Sequence, residues 1–264
     1  MDITDKRIDN GVAFDWGRVS QEYAKYRDIY PDEFYKTIAQ RGLCIVGQRV
    51  LDLGTGTGVL PRNMYKYGAD WVGTDISENQ IKQAQLMAKA DNMDISFCVS
   101  AAEDLSFPDN SFDVATACQC FWYFDYEKVM PNLSRMLKPG GKFVALCMEW
   151  LPFDDSIAMN SENLVLKYSP QWSGAREVMH PIEIPEIALE YFNVEYHCEF
   201  KTEVPFTRES WHGRMKACRG VGASLNSEQL SRWDKEHREL LENTTPESFT
   251  VTHYVAIAVL ENKK

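Results

Sequence analysis

Three glycines at alternate positions, Gly54, Gly56 and Gly58, follow an apolar run that is interrupted by the carboxylate of Asp52. Glycine lets the backbone take positive φ or lie directly against a bound molecule, because it has no Cβ to clash. An apolar run, an acid and such glycines describe a buried strand that stops at a tight turn under a helix N-terminus, which is a cradle for a ligand. Asp75 stands about twenty residues beyond the first glycine, the place of a ribose-binding acid in a nucleotide-binding βαβ unit. Cys118 and Cys120 are separated by one residue, but no second cysteine pair or nearby histidine completes the four ligands of a zinc site. No metal is expected, and the cysteines, with Cys98 and Cys147, read as buried core residues.

The elements that must position these residues alternate regularly. After the glycines, Val59, Leu60, Met64 and Tyr67 recur at helical spacing, with Pro61 in the first turn and Gly68 at the end. A strand over 71–75 follows, and then Ser77 and Gln80 form a capping box for a helix with Ile81, Ala84 and Ala88 on one face. Strands are expected at 95–99, 112–118 and 143–148. A helix from Tyr126 to Leu137 precedes the last of these and is stopped by Lys138, Pro139, Gly140 and Gly141. Strand and helix alternate five times, which implies a parallel sheet with helices on both faces.

The flanks differ in composition. Residues 14–42 carry Trp16, Tyr23, Tyr26, Tyr30, Phe34 and Tyr35 among charges and read as two short helices, an aromatic N-terminal flap. From Trp150 to Pro185 the periodicity is poor apart from a helical run near 163–168, and the segment reads as a lid. Strands at 192–204 and 250–260 bracket helices at 208–220 and 227–243, a cap at the carboxyl edge of the sheet, where open α/β folds place ligands. The expected division is a helical flap over 1–42, a core over 43–149, and 150–264 as lid and cap plus the last two strands.

Composition narrows the function. The chain has 264 residues, 44% hydrophobic, enough for a sizeable core. A net charge of -11 and a pI near 5.0 argue against a nucleic-acid surface. Seven cysteines without framework spacing fit a reducing compartment. Residues 1–10 are polar, unlike a signal peptide, and no apolar run approaches the ~18 residues of a membrane span. A cytoplasmic location is expected.

Five motifs, in order, carry a resemblance: residues 50–58; Gly73, Thr74, Asp75, Ile76 and Ser77; the run from Ala102 to Pro108; Asn110, Ser111, Phe112 and Asp113; and the run from Leu137 to Gly141. Over about residues 23–148 the chain resembles the class I S-adenosylmethionine-dependent methyltransferases, in the ubiquinone/menaquinone-biosynthesis-like group with the type 11 methyltransferase domain. The trans-aconitate methyltransferases belong to the same group. The resemblance implies a Rossmann-like seven-stranded sheet in the order 3-2-1-4-5-7-6 with the last strand antiparallel. It also implies S-adenosylmethionine as cofactor and S-adenosylhomocysteine as product.

Residue by residue, the resemblance implies that the backbone of Gly54, Thr55 and Gly56, with Asp52 and Gly58 beside it, lies against the methionine portion. Asp75 would accept the ribose hydroxyls, with Gln80 in the same site. Ile76 would pack on the adenine, whose edge Ala102 and Glu103 would read. The Cys118 carbonyl, next to Gln119, would meet the methionine ammonium, and Arg27, with Tyr23, the methionine carboxylate. A nicotinamide dinucleotide fits poorly, because its fingerprint needs glycine at position 59, which is Val59, and because Asp52 would repel a pyrophosphate. A Walker-type loop is excluded, since no Gly-Lys-Ser/Thr follows the glycines.

The sequence departs from the family after the fourth strand, where Trp122 and Tyr123 follow Gln119, Cys120 and Phe121 and the family's histidine is absent. Methyl transfer needs chiefly positioning and exclusion of water, so a base is optional. Glu149, His180 and His212 are candidates, together with Trp150 and Arg214, and none is assigned. Trp150, Phe153, Trp172, Phe206 and Trp211 suit an aromatic acceptor, whereas Arg176, Arg208, Arg214 and Arg219 leave a carboxylate-bearing one open. The expected function is methyl transfer to a small molecule at O, N, S or C. The alternatives are a non-catalytic cofactor-binding regulator and an NAD-dependent oxidoreductase. The acceptor and the oligomeric state are not written in the sequence.

Overall fold

The computed structural model describes residues 3–264. The first two positions of the expected flap and of the polar start lie outside the described residues. Seven strands, β1 (Arg49–Leu53), β2 (Asp70–Asp75), β3 (Ser96–Val99), β4 (Phe112–Cys118), β5 (Leu137–Trp150), β6 (Phe192–Thr207) and β7 (Ser248–Asn262), form one sheet. Its order is β3-β2-β1-β4-β5-β7-β6, as the resemblance implied. β1 is parallel to β2 and β4, β2 to β3, and β4 to β5. β7 runs the other way. Gly140 N–H, early in β5, donates to Lys264 O, whereas Leu151 N–H, just past its end, donates to Thr252 O. Lys263 N–H on Tyr191 O and Arg208 N–H on Glu247 O set the same antiparallel sense between β6 and β7.

The helices are α1 (Ser20–Tyr26), α2 (Asp32–Gln40), α3 (Val59–Met64), α4 (Glu78–Ala90), α5 (Tyr126–Met136), α6 (Ser156–Tyr168), α7 (Ala188–Tyr191), α8 (Arg208–Lys216) and α9 (Ser227–Thr244). By internal contacts the chain forms two compact units. The sheet core comprises residues 30–148, 180–200 and 255–264, and a largely helical unit comprises residues 3–29, 149–179 and 201–254. α2 belongs with the core because Phe34 and Tyr35 are buried against each other and against Tyr30.

In the core, the amphipathic α5 buries Val129, Met130, Leu133 and Met136 among Ala115, Ala117, Phe143 and Ala145 of the sheet. Each such side chain contributes about 1.5–3 kcal/mol relative to exposure. Pro131 lies within α5, an interruption the sequence reading did not weigh.

Several expectations are corrected. The residues from Lys138 to Gly141 do not stop the chain before the strand. β5 already begins at Leu137, and its pairing with β4 shifts register across this stretch, where Gly140 takes φ 68°. The helical run near 163–168 is only the end of α6, which starts at Ser156 under Asp155, whose carboxylate accepts the N–H groups of Ile157 and Ala158 at 2.8 and 3.0 Å. The helix expected over 208–220 closes at Lys216, followed by a π-helical turn at Arg219–Ala223. Cys98, Cys118 and Cys120 are half-buried, whereas Cys147 is buried, and all seven thiols are free. No described helix is long and apolar enough to cross a membrane.

Candidate functional site

The cradle is built where β1 ends. Gly54, Gly56 and Gly58 all take positive φ, 57°, 56° and 73°, which side-chain-bearing residues adopt at a cost. A Cβ on Gly54 would lie 2.8 Å from Cys120 Sγ and 2.9 Å from its Cβ, so the first glycine is also a close-packing requirement between the ends of β1 and β4. The loop is tied to β2 at two points: Thr55 N–H donates to Thr74 O at 2.8 Å, and Gly56 N–H donates to Asp75 Oδ2 at 2.9 Å. Asp75 Oδ1 accepts Ser77 N–H at 2.8 Å, and burial raises its carboxyl above the usual range. Each carboxylate oxygen keeps a second lone pair for a ligand hydroxyl.

Asp52 lies under the loop. The register sets it between Gly73 of β2 and Thr116 of β4, and Thr116 Oγ1 donates to Asp52 Oδ1 at 2.6 Å. Burial raises its carboxyl to about 7; the Thr116 hydroxyl opposes this rise and the nearby Asp75 charge adds to it. Thr116 is a contributor the sequence reading missed, although a lone threonine in an apolar strand was a visible signal.

At the end of β4, Gln119 takes φ 63°, and its side-chain amide donates to Met148 O while its buried Oε1 has no partner among the described residues. Cys118 Sγ lies 3.6 Å from Tyr30 OH, a second neighbour that sequence spacing could not supply. Ile76 is 42% exposed beside Asp75, whereas Gln80 is buried and its N–H donates to Ser77 Oγ at 3.4 Å, half of the expected capping box. Ala102 and Glu103 form a 3-10 turn, with Ala102 buried and Glu103 Oε1 accepting the N–H of Asp125 at 2.8 Å. Glu103 therefore orders the start of α5 in addition to any part it plays toward a ligand.

This donor set suits a cation better than a phosphate. The buried carboxyl of Asp52, the half-buried one of Asp75 and the Gln119 amide oxygen stand where β1, β2 and β4 end, a set of acceptors rather than of anion-binding donors. Residues 51–145 match the methyltransferase domain family. Over these residues the chain is similar to the methyltransferases, among them menaquinone and ubiquinone ones.

The chain is 39% identical over 102 residues to a demethylmenaquinone methyltransferase of Thermus thermophilus, a match covering 38% of this chain and 46% of that protein. It therefore spans less than half the length of that relative. Identity to a ubiquinone biosynthesis O-methyltransferase of Xanthomonas oryzae is 26% over 176 residues, covering 66% of this chain and 72% of the relative. A Haemonchus contortus phosphoethanolamine N-methyltransferase, solved with S-adenosylhomocysteine and phosphomonomethylethanolamine, shares the fold. The TM-score is 0.54 at 18% identity, covering 93% of this chain and 58% of that one.

The remaining candidates belong mostly to the helical unit. Glu149, half-buried at the end of β5, has its carboxyl raised by burial, against the pull of the Arg214 and Arg27 charges. Arg27 lies 4.7 Å over the Tyr23 ring, with Nη2 3.4 Å from the Tyr23 hydroxyl. Arg214 is buried with its guanidinium 4.7 Å over the Trp150 ring, and Arg219 pairs with Asp9 at 2.7 Å. His212 is buried between Asp234 and His237. His180, in the core unit, is exposed, with Nδ1 at 2.7 Å from Pro181 O. The expected aromatic wall is a core instead: Trp150, Trp172, Phe206 and Trp211 are buried against one another, and only Phe153, 62% exposed, is open to solvent.

Proposed function

We propose that the chain is an S-adenosylmethionine-dependent methyltransferase acting on a small molecule, and that it works in the cytoplasm. The observation that carries this reading is the glycine loop closed onto Asp75 through the Gly56 N–H, with the Asp52 carboxyl beneath it. In this reading the backbone of Gly54, Thr55, Gly56 and Gly58 faces the methionine portion and Asp75 receives the ribose hydroxyls. Ile76 covers the adenine, and Ala102 and Glu103 stand at its edge. The Cys118 carbonyl and the Gln119 amide oxygen face the ammonium. The family match and the relatives named as a demethylmenaquinone methyltransferase and a ubiquinone biosynthesis O-methyltransferase support it.

When bound, S-adenosylmethionine supplies a methyl group already activated on a sulfonium. The protein's own contribution is then geometric: the loop, held to β2 by two hydrogen bonds, fixes the donor, and burial at the strand ends excludes water. The non-catalytic and oxidoreductase readings gain no support from these relatives. Incubation with S-adenosylmethionine labelled in the methyl group and a library of phenols, carboxylic acids, amines and thiols tests catalysis. Label transferred to at least one acceptor class is expected, and transfer to none, with the cofactor bound, would leave only the regulatory reading.

A further inference from the structure

β6 ends the sheet. Its strand neighbour is β7 on one side, and among the described residues no bridge outside the named strands reaches its other side. The N–H and C=O groups along such an edge are a template on which a further strand can add, and proteins commonly blunt an edge by keeping it short or by placing proline or charge of one sign on it. β6 runs from Phe192 to Thr207 and meets its proline only at Pro205. On one face Phe192 and Val204 are buried and Tyr196, Cys198, Phe200 and Thr202 half-buried. On the other, Asn193, Glu195, His197, Lys201 and Glu203 are exposed, with Glu199 half-buried among them. Val194, 43% exposed, leaves apolar surface near the start of the strand.

The charges of β6 are of both signs, and their order complements itself when the strand is turned end to end. Glu195 and Lys201 stand at equal distances on either side of Cys198, and so do His197 and Glu199. A two-fold axis perpendicular to the sheet at Cys198 sets a second copy antiparallel to the first and keeps each face with itself. Glu195 then stands opposite Lys201, His197 opposite Glu199 and Asn193 opposite Glu203. On the half-buried face Tyr196 meets Phe200 and Val194 meets Thr202, aromatic with aromatic and β-branched with β-branched, pairs that stabilise adjoining strands. Glu199 Oε1 is buried without a hydrogen-bond partner among the described residues, with His197 Nδ1 of its own strand 3.5 Å away, and the pairing brings a second imidazole opposite it.

Neighbouring registers lose this match. An axis at His197 sets Glu195 against Glu199, and one at Glu199 sets that carboxylate against itself. An axis at Phe200 sets Glu195 against Pro205, and one at Tyr196 sets Lys201 against Tyr191, ahead of the strand. We propose that the outer edge of β6 is a self-association surface: two copies of the chain pair antiparallel through it, in the register centred on Cys198, and their sheets become continuous. This pairing is independent of the reaction that the chain performs.

Sedimentation velocity of the full chain over about 1–100 µM, a span from moderate to weak association, tests the state. A dimer is expected, with a dissociation constant that rises with salt as the exposed pairs are screened. Glu195→Lys and Lys201→Glu each set like charges opposite one another and should weaken the dimer at least about tenfold. The double variant Glu195→Lys/Lys201→Glu restores opposite charges across the pair and should recover most of that loss. Within one copy Glu195 pairs with Lys142 at 2.7 Å and Lys201 with Asp154 at 3.2 Å, and the double variant breaks both, so its recovery reports the contact between copies. A short bifunctional thiol reagent should also join Cys198 of one copy to Cys198 of the other, as located by peptide mass spectrometry. A monomer throughout the range, which leaves the edge to another chain or to water, overturns the proposal. So does a dimer that ignores the single reversals, or a double variant no better than the singles.

Discussion

Asp75 Oδ2 accepts the N–H of Gly56 at 2.9 Å, so the carboxylate at the end of β2 holds the middle glycine of the loop that follows β1. The same side chain accepts Ser77 N–H through its other oxygen. It thus shapes the cradle before any ligand arrives. Replacing it removes both a ligand contact and the fixed position of the loop.

Asp75→Ala is therefore expected to weaken S-adenosylmethionine binding at least about 100-fold, since hydrogen bonds to a charged group contribute roughly 1.5–3 kcal/mol each. Asp75→Asn keeps one acceptor oxygen and should lose roughly tenfold. Calorimetric titration of the three proteins ranks them, and equal affinities would remove Asp75 from the site.

Gly54→Ala combines two costs, a side chain at φ 57° and a Cβ 2.8 Å from Cys120 Sγ. A loss of roughly 2–4 kcal/mol is expected in denaturant unfolding. In the background of Cys120→Gly, which removes both clashing atoms, the cost of the same change should shrink to the conformational part, about 1–2 kcal/mol. An unchanged cost in that background would mean the clash is not what the glycine avoids.

Asp52→Asn should stabilise the ligand-free protein at pH 8. The carboxyl has a folded-state value near 7 against 3.8 for the free group, so folding favours the protonated form. Its ionisation costs stability as pH rises through that window, on the order of 2–4 kcal/mol by pH 8, and costs nothing below about pH 4. Melting temperatures at pH 8 and pH 4 check this: a gain of several degrees is expected only at pH 8.

Acid should loosen the helical unit. Trp211 Nε1–H donates to Ser161 Oγ at 2.9 Å, and Ser161 Oγ lies 3.0 Å from His237 Nε2. His237 Nδ1 lies 2.9 Å from His212 Nδ1, and His212 Nε2 lies 3.0 Å from Asp234 Oδ1. With both rings neutral, one assignment of protons satisfies every bond: Ser161 donates to His237, His237 to His212, and His212 to Asp234. One added proton forces the chain to reorganise. Burial lowers both histidines, His237 to about 3, with the His212 charge next in effect. Depressed values mean that the stabilisation is complete above the unfolded value of about 6.5 and is lost as pH falls below it. Thermal melts followed by tryptophan fluorescence should show midpoints falling steadily from pH 6.5 to pH 4. A flat profile across that range would contradict the neutral pair.

Much of this was legible because the buried strands are apolar and their turns are marked. The run ending in Leu53, the glycines and the acid at Asp75 announce the cradle without tertiary information. The helical unit was harder to read for a physical reason. Ser161 and Glu162 are fully buried in α6, where they accept the indole N–H groups of Trp211 and Trp150 at 2.9 and 2.6 Å. Polar residues on the inward face erase the apolar periodicity by which a helix is recognised. The same partnerships hid the burial of Trp150 and Trp211, whose N–H groups find their acceptors 12 and 50 residues away along the chain. Pro139 and Gly140 have the composition of a turn, yet the register shift between β4 and β5 absorbs them within a strand.

The most direct test of the central claim is calorimetric titration of the purified chain with S-adenosylmethionine and, separately, with NAD. Saturable one-to-one binding of S-adenosylmethionine in the micromolar range, abolished or strongly weakened in Asp75→Ala, with no NAD binding, is the predicted result. Tight NAD binding with none of S-adenosylmethionine would contradict the account.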